Sequence, residues 1–93
     1  MRATDEQDRL EKAKAEQLAA ETPLFEGIKS ISIELGDDQT GDPAMWLVFH
    51  LTDDLVADRA WIKRFQPYAR DMQFKILHSG LTRFPYTRFQ QAA

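Results

Sequence analysis

Any chemistry in this chain has to come from a small set of side chains, and His50 is the first of them. It is one of two histidines, and an imidazole that titrates near neutral pH is the usual general base. His50 sits in the apolar run Ala44-Met45-Trp46-Leu47-Val48-Phe49-His50-Leu51. At the two-residue period of a strand, Trp46, Val48 and His50 share one face. A base on that face needs a nucleophile and an orienting partner, and the sequence specifies neither. A structural or interface histidine is the simpler reading. His78, close to the end of a helical stretch, is placed to complement a helix dipole. Asp37, Asp38, Asp42, Asp53 and Asp54 are the oxygen donors on which a calcium or magnesium site would draw. They lack the ordered spacing of a calcium loop and its closing glutamate, and turns select Asp, Gly and Pro for backbone reasons alone. No metal or other cofactor is expected. Gly36 and Gly41 are followed by neither a helix nor a lysine, as a phosphate-cradling loop requires, and no nucleophile elbow or HExxH helix occurs. No catalytic residue is assigned, and the chain is read as not an enzyme.

A second constellation is basic and aromatic. Arg59, Lys63 and Arg70 share one helical face, while Arg83 and Arg88 interleave with Phe84, Tyr86 and Phe89. Such groups can clamp phosphates and stack bases. Arg83 and Arg88 have opposite strand parity, however, and an isoelectric point near 5.3 is acidic for a dedicated nucleic-acid binder. The net charge of −3 hides a polarised chain: residues 1–54 carry five Lys/Arg against thirteen Asp/Glu, and residues 55–93 carry seven against two. Two halves of opposite sign can pair with each other, pair head to tail with a copy, or offer a basic face to an anion.

These residues must be held by a small frame. Ninety-three residues, 43% of them hydrophobic, make one small domain near the lower size limit for a self-sufficient core. The absence of cysteine excludes a disulfide scaffold, thiolate catalysis and the usual structural zinc sites. There is no apolar stretch of membrane-spanning length, and the charged start of the chain has no signal-peptide core. A soluble, cytoplasmic protein is expected.

The organising unit is a hairpin. Ile28 to Leu35 alternates strictly, with Ile31, Ile33 and Leu35 on one face and Ser30, Ser32 and Glu34 on the other. The acidic turn Gly36 to Pro43 follows, then the second strand. That strand is apolar on both sides, with Met45, Leu47, Phe49 and Leu51 opposite Trp46, Val48 and His50. It should therefore be central or covered twice, its second face meeting the N-terminal helix, another subunit or a partner.

Before the hairpin, Thr4 to Ala20 reads as a polar helix with a capping box at Thr4 and Gln7. Its stripe is thin, consisting of Leu10 and Leu18 with Ala13 and Ala20, so it should pack loosely or await a partner. After the hairpin, Thr52-Asp53-Asp54 offers a helix start. Trp61, Phe65, Ala69, Met72 and Ile76 then recur at helical spacing, Pro67 threatens to split the helix, and Gly80 should end it. Leu81 to Phe89 reads as a third strand, kept to an edge by Pro85, and Gln90 to Ala93 as a loose tail. A strand–helix–strand crossover sets the third strand parallel to the second.

The fold expected is thus α+β, in the order α-β-β-α-β, with a three-stranded, mainly antiparallel sheet packed on helix. Residues 1–22 form a polar helix and 23–93 the α+β domain.

The hairpin IELGDDQTGDPAMWLVFHL, followed by a helix and PYTRF, resembles a family of small bacterial proteins with a TGDPAxW hairpin. Some members of that family accompany toxin genes such as those of HEPN-type ribonucleases. The resemblance covers about residues 28–89 and implies an antitoxin-like or accessory partner. The strand–strand–helix–strand order with a late FPYTRF is also similar to ribosome-binding factor A proteins, which have a KH-type fold. The glycine-containing helix–helix junction of that family is missing, and Pro67 stands near its place. Two functions follow. The first is a non-catalytic protein-interaction module, binding a partner or a second copy through Trp46, Val48 and His50, with Leu10 and Leu18. The alternative is an RNA-binding, ribosome-associated factor using Arg59, Lys63, Arg70, Arg83 and Arg88.

Overall fold

The computed structural model describes residues 3–91, with side chains from residue 6 onward. The elements run α1 (Ala3–Ala20), β1 (Ile28–Asp37), β2 (Pro43–Leu51), α2 (Arg59–Leu77) and β3 (Phe84–Gln90). The sheet order is β1-β2-β3. β1 pairs antiparallel with β2 through the hairpin, and β3 returns parallel to β2 after the α2 crossover. The sheet is therefore mixed, as a strand–helix–strand connection requires.

Both helices cover one face. Met45, Leu47, Phe49 and Leu51 of β2 point into the core and are at most 1% exposed. Against them α2 presents Trp61, Phe65, Ala69, Met72 and Ile76, all buried. Edge-to-face packing of Phe49 on Phe65, with centroids 5.0 Å apart, and stacking of Trp61 on Phe65 at 4.8 Å fill the centre. The Trp61 indole N–H, buried with its ring, donates to the Glu26 carbonyl at 3.0 Å.

The start of α2 differs from the sequence expectation. Asp58 is its N-cap and accepts from the Trp61 N–H at 2.9 Å, whereas Thr52 donates its N–H to the Gly27 carbonyl and extends the sheet. Residues 52–58 are spent bringing the chain back over the core. Pro67 does not split α2, which runs unbroken from Arg59 to Leu77. The ring is on the exposed side, where water can satisfy the carbonyl one turn earlier that loses its N–H partner. Gly80, at φ +90°, follows the helix end as expected.

α1 also turns a different face inward. Leu10 is 60% exposed, and the buried positions are Glu11, Ala15 and Ala19, with Leu18 half-buried against the same core. The small alanines let the helix approach closely, and a polar partner draws Glu11 in. Its carboxylate accepts from the Thr82 backbone N–H and from the Thr82 hydroxyl at 2.9 Å. The capping contact expected of Thr4 lies outside the described side chains. The tail expected from Gln90 is partly structured, since Gln90 ends β3 and the Gln91 amide reaches the Leu55 carbonyl at 3.4 Å. Ala92 and Ala93 lie outside the described residues. No helix among the described residues is long and apolar enough to cross a membrane.

Candidate functional site

With both helices on one side, the opposite face of the sheet is covered by no other element among the described residues. Trp46, Val48 and His50 lie on it together. Val48 is nonetheless fully buried, and the cover is local. Val48 pairs with Arg88 on β3 and Trp46 with Glu34 on β1, and Arg88 Nη2 reaches Glu34 Oε1 at 2.8 Å. That ion pair crosses β2 diagonally, so the aliphatic part of the arginine lies over the valine. The doubly apolar strand is thus closed at its middle by the chain's own side chains, and not by α1 or a second subunit.

Toward the hairpin turn the face becomes aromatic. Trp46 stacks on Tyr86 with centroids 6.1 Å apart at 27°, and Tyr86 meets Phe84 at 4.9 Å. Gly36 makes room for the indole: a Cβ there would lie 3.0 Å from Trp46 Cζ3. The Tyr86 hydroxyl donates to Asp38 Oδ2 at 3.2 Å. Asp38 is the hub of the turn, its Oδ1 accepting from the Thr40 N–H at 2.8 Å, the Thr40 hydroxyl at 2.6 Å and the Asp42 N–H at 3.0 Å. The Thr40 hydroxyl, foremost, holds the Asp38 carboxyl below its ordinary value against the opposing effect of desolvation. Desolvation, reinforced by the neighbouring Asp38 charge, pushes the Tyr86 phenol up. Asp38 therefore spends its carboxylate on the turn itself and on Tyr86. Among the described residues no group of three or more His, Cys, Asp and Glu is arranged to hold a metal ion.

At the other end of this face His50 Nε2 lies 2.7 Å from the Ser32 hydroxyl. A serine and a histidine at that distance are two members of a nucleophilic triad. Among the described residues no carboxylate bonds the second ring nitrogen, and flanking N–H groups of the sheet interior are engaged in the ladder. The pair joins β1 to β2.

The remaining candidates are scattered. Leu10 is on the solvent side of α1 and Leu18 is packed into the core, so neither joins Trp46. Arg83 is inward: its Nη1 donates to the Gly36 and Ala44 carbonyls at 2.6 and 3.0 Å, and its Nη2 pairs with Asp8 at 3.1 Å, with 12% of the side chain exposed. Arg88 is engaged with Glu34. Only Arg59, Lys63 and Arg70 remain as exposed cations of one α2 stripe. The five basic residues therefore do not form one surface, because Arg83, just ahead of β3, and Arg88, within it, are held by different partners. Tyr86, Phe84 and Asp38, which complete the aromatic end, could be found from sequence only with the β2–β3 register, which sets Tyr86 opposite Trp46.

Comparison of the chain with protein-family models, with curated proteins and with solved structures gives no match.

Proposed function

We propose that the chain is a non-catalytic protein-interaction module of the cytoplasm, an antitoxin-like or accessory partner of another protein. It would meet that partner with the aromatic end of its open sheet face. One observation carries the reading: Trp46, Tyr86 and Phe84 form a continuous aromatic run on the face that neither helix covers. Aromatic side chains give large contact area at low entropic cost and are over-represented at interface centres. Asp38 and Asp42 rim the run with negative charge felt at Tyr86, which selects a partner with basic residues around an apolar centre.

The alternative of an RNA-binding accessory factor has less support. The aromatic run is flanked by carboxylates, Arg83 and Arg88 are engaged within the chain, and the unbroken α2 leaves no counterpart of the loop that clamps the backbone in KH modules.

A photo-crosslinking residue at position 46 or 86, introduced into the full chain in its native host, tests the reading against the same residue at position 54. Discrete crosslinked proteins, or a crosslinked dimer, are expected from 46 and 86 only. Equal, diffuse labelling from all three positions would remove the proposal. Trp46→Ala should abolish the specific crosslink from position 86 while the urea midpoint shows the domain still folded.

A further inference from the structure

We propose a second docking site, independent of the aromatic face: the open edge of β3 and the groove beside α2 take up an extended, acidic segment of a partner protein by strand addition. β3 is an edge strand, and its backbone polarity can be assigned. Pro85 has no N–H, and its carbonyl accepts from the Gln73 side chain of α2 at 2.6 Å. Pro85 therefore turns its backbone away from β2. Backbone groups of alternate residues in a parallel edge strand point the same way, so Thr87 and Phe89 direct their N–H and C=O outward as well. Among the described residues these two donors and two acceptors have no partner, and at strand spacing they are what an added strand bonds to.

Natural edges are usually blunted; this one carries Pro85 and Arg88, the latter drawn toward Glu34. Beyond Pro85 the edge borders a cleft of about 380 Å³ lined by Ile62, Gln66 and Arg70 of α2 and by Thr87 and Phe89 of β3. Phe89 touches Trp61 and Phe65 edge-on at 6.2 Å yet remains 45% exposed. An apolar side chain of an added strand would complete its cover. Such a side chain would lie on the cleft side of the added strand, and its neighbours two residues away would reach the rim.

Arg70 lines that cleft, and Arg59 and Lys63 continue its stripe along the exposed side of α2. The three fall within about 40° of one another at 100° per residue, and among the described residues none is in an ion pair with a carboxylate. Charge complementarity therefore selects an acidic segment. A second copy offering the same edge would bring its own cations against these. A nucleic acid would set phosphates against the outward carbonyls of Thr87 and Phe89. A peptide backbone, which alternates donors and acceptors, fits both.

The test uses the full ¹⁵N-labelled chain and a capped peptide of about seven residues, matched to the length of β3, in which glutamate and valine alternate along one face and threonine fills the other, so that valine and its acidic neighbours two residues away share the cleft side. Binding should shift the Thr87 and Phe89 amides and slow their hydrogen exchange at least about tenfold. Arg70→Glu should weaken it about tenfold or more, and Trp46→Ala should leave it unchanged. Any of four results would overturn the proposal: no response at millimolar peptide, equal binding of a peptide N-methylated at alternate residues, the same shifts produced by an oligouridylate, or concentration-dependent protection of both amides in the free chain. The last would assign the edge to a second copy.

Discussion

Arg83 ties α1 to both strands of the hairpin with one side chain. Its guanidinium donates to two carbonyls at the hairpin mouth and pairs with Asp8 of α1, so one planar fork joins α1, β1, β2 and the start of β3. Truncation leaves those carbonyls and a half-exposed carboxylate without a donor. Arg83→Ala should therefore lower unfolding free energy by about 2–4 kcal/mol in urea titration. Arg83→Lys should recover only part, because one ammonium cannot meet three acceptors in the geometry of the fork. Full recovery by lysine would mean that charge alone matters. A second prediction belongs to Asp38. Its carboxyl is held below the ordinary 3.8, so the ionised form favours the folded turn. That contribution is complete above the ordinary value and is lost only as pH falls through the depressed one. The Thr40 and Asp42 amide resonances should report that lower midpoint. Thr40→Val, which removes the foremost hydrogen bond, should return the midpoint toward 3.8; an unmoved midpoint would place the cause elsewhere. The Tyr86 phenol runs the other way: its contribution is complete below the ordinary 10.0 and fades as pH rises through its elevated value.

Among the elements, α2 shows how a local rule can be overridden without being cancelled. Five buried side chains at i, i+4, i+8, i+11 and i+15 from Trp61 fix the helix to the sheet, and that packing outweighs a proline within it. The defect is still present. Pro67→Ala should restore one helical hydrogen bond on the exposed side and raise stability by about 1–3 kcal/mol, read as a higher thermal midpoint. A neutral result would mean that the helix has already relaxed around the ring. The elements legible in the sequence were those with their own period: the alternating hairpin, the α2 stripe and the parallel return they impose on β3. What was not legible depends on register. Val48 is sealed by an arginine and a glutamate from opposite strands, 54 residues apart in the chain, and neither position carries a local sign of that pairing. The inward face of α1 was missed for the same reason. A buried glutamate is credible only when Thr82 is known to stand beside it, 71 residues away. Asp58 was passed over as a cap because Thr52 offered an equally good local signal, and only the length of chain needed to recross the core separates the two.

At the scale of the whole molecule the open question is what α1 does for the domain. Residues 1–22 read from sequence as a separable polar helix, yet α1 packs Ala15 and Ala19 into the common core. It also supplies Glu11 and Asp8 to the segment that enters β3. The acidic N-terminal half is thus tied to the basic C-terminal half through buried and half-buried contacts, where charge pairing is least screened. A chain starting at Pro23 would lose more than apolar cover. Ile33, Leu35 and the α2 flank would be wetted, and Arg83 would lose Asp8, its only carboxylate among the described residues. Such a truncation should unfold at a lower urea midpoint and, at concentrations where the full chain has the scattering mass of a monomer, associate through the uncovered inner face. If it stayed monomeric with an unchanged midpoint, α1 would be an appendage and its contacts incidental. If the full chain itself scattered as a dimer, Trp46→Ala and Thr87→Pro would separate the two candidate surfaces. Loss of the dimer with the first variant assigns it to the aromatic face, and loss with the second to the edge of β3, since proline removes the outward Thr87 N–H that an added strand must bond.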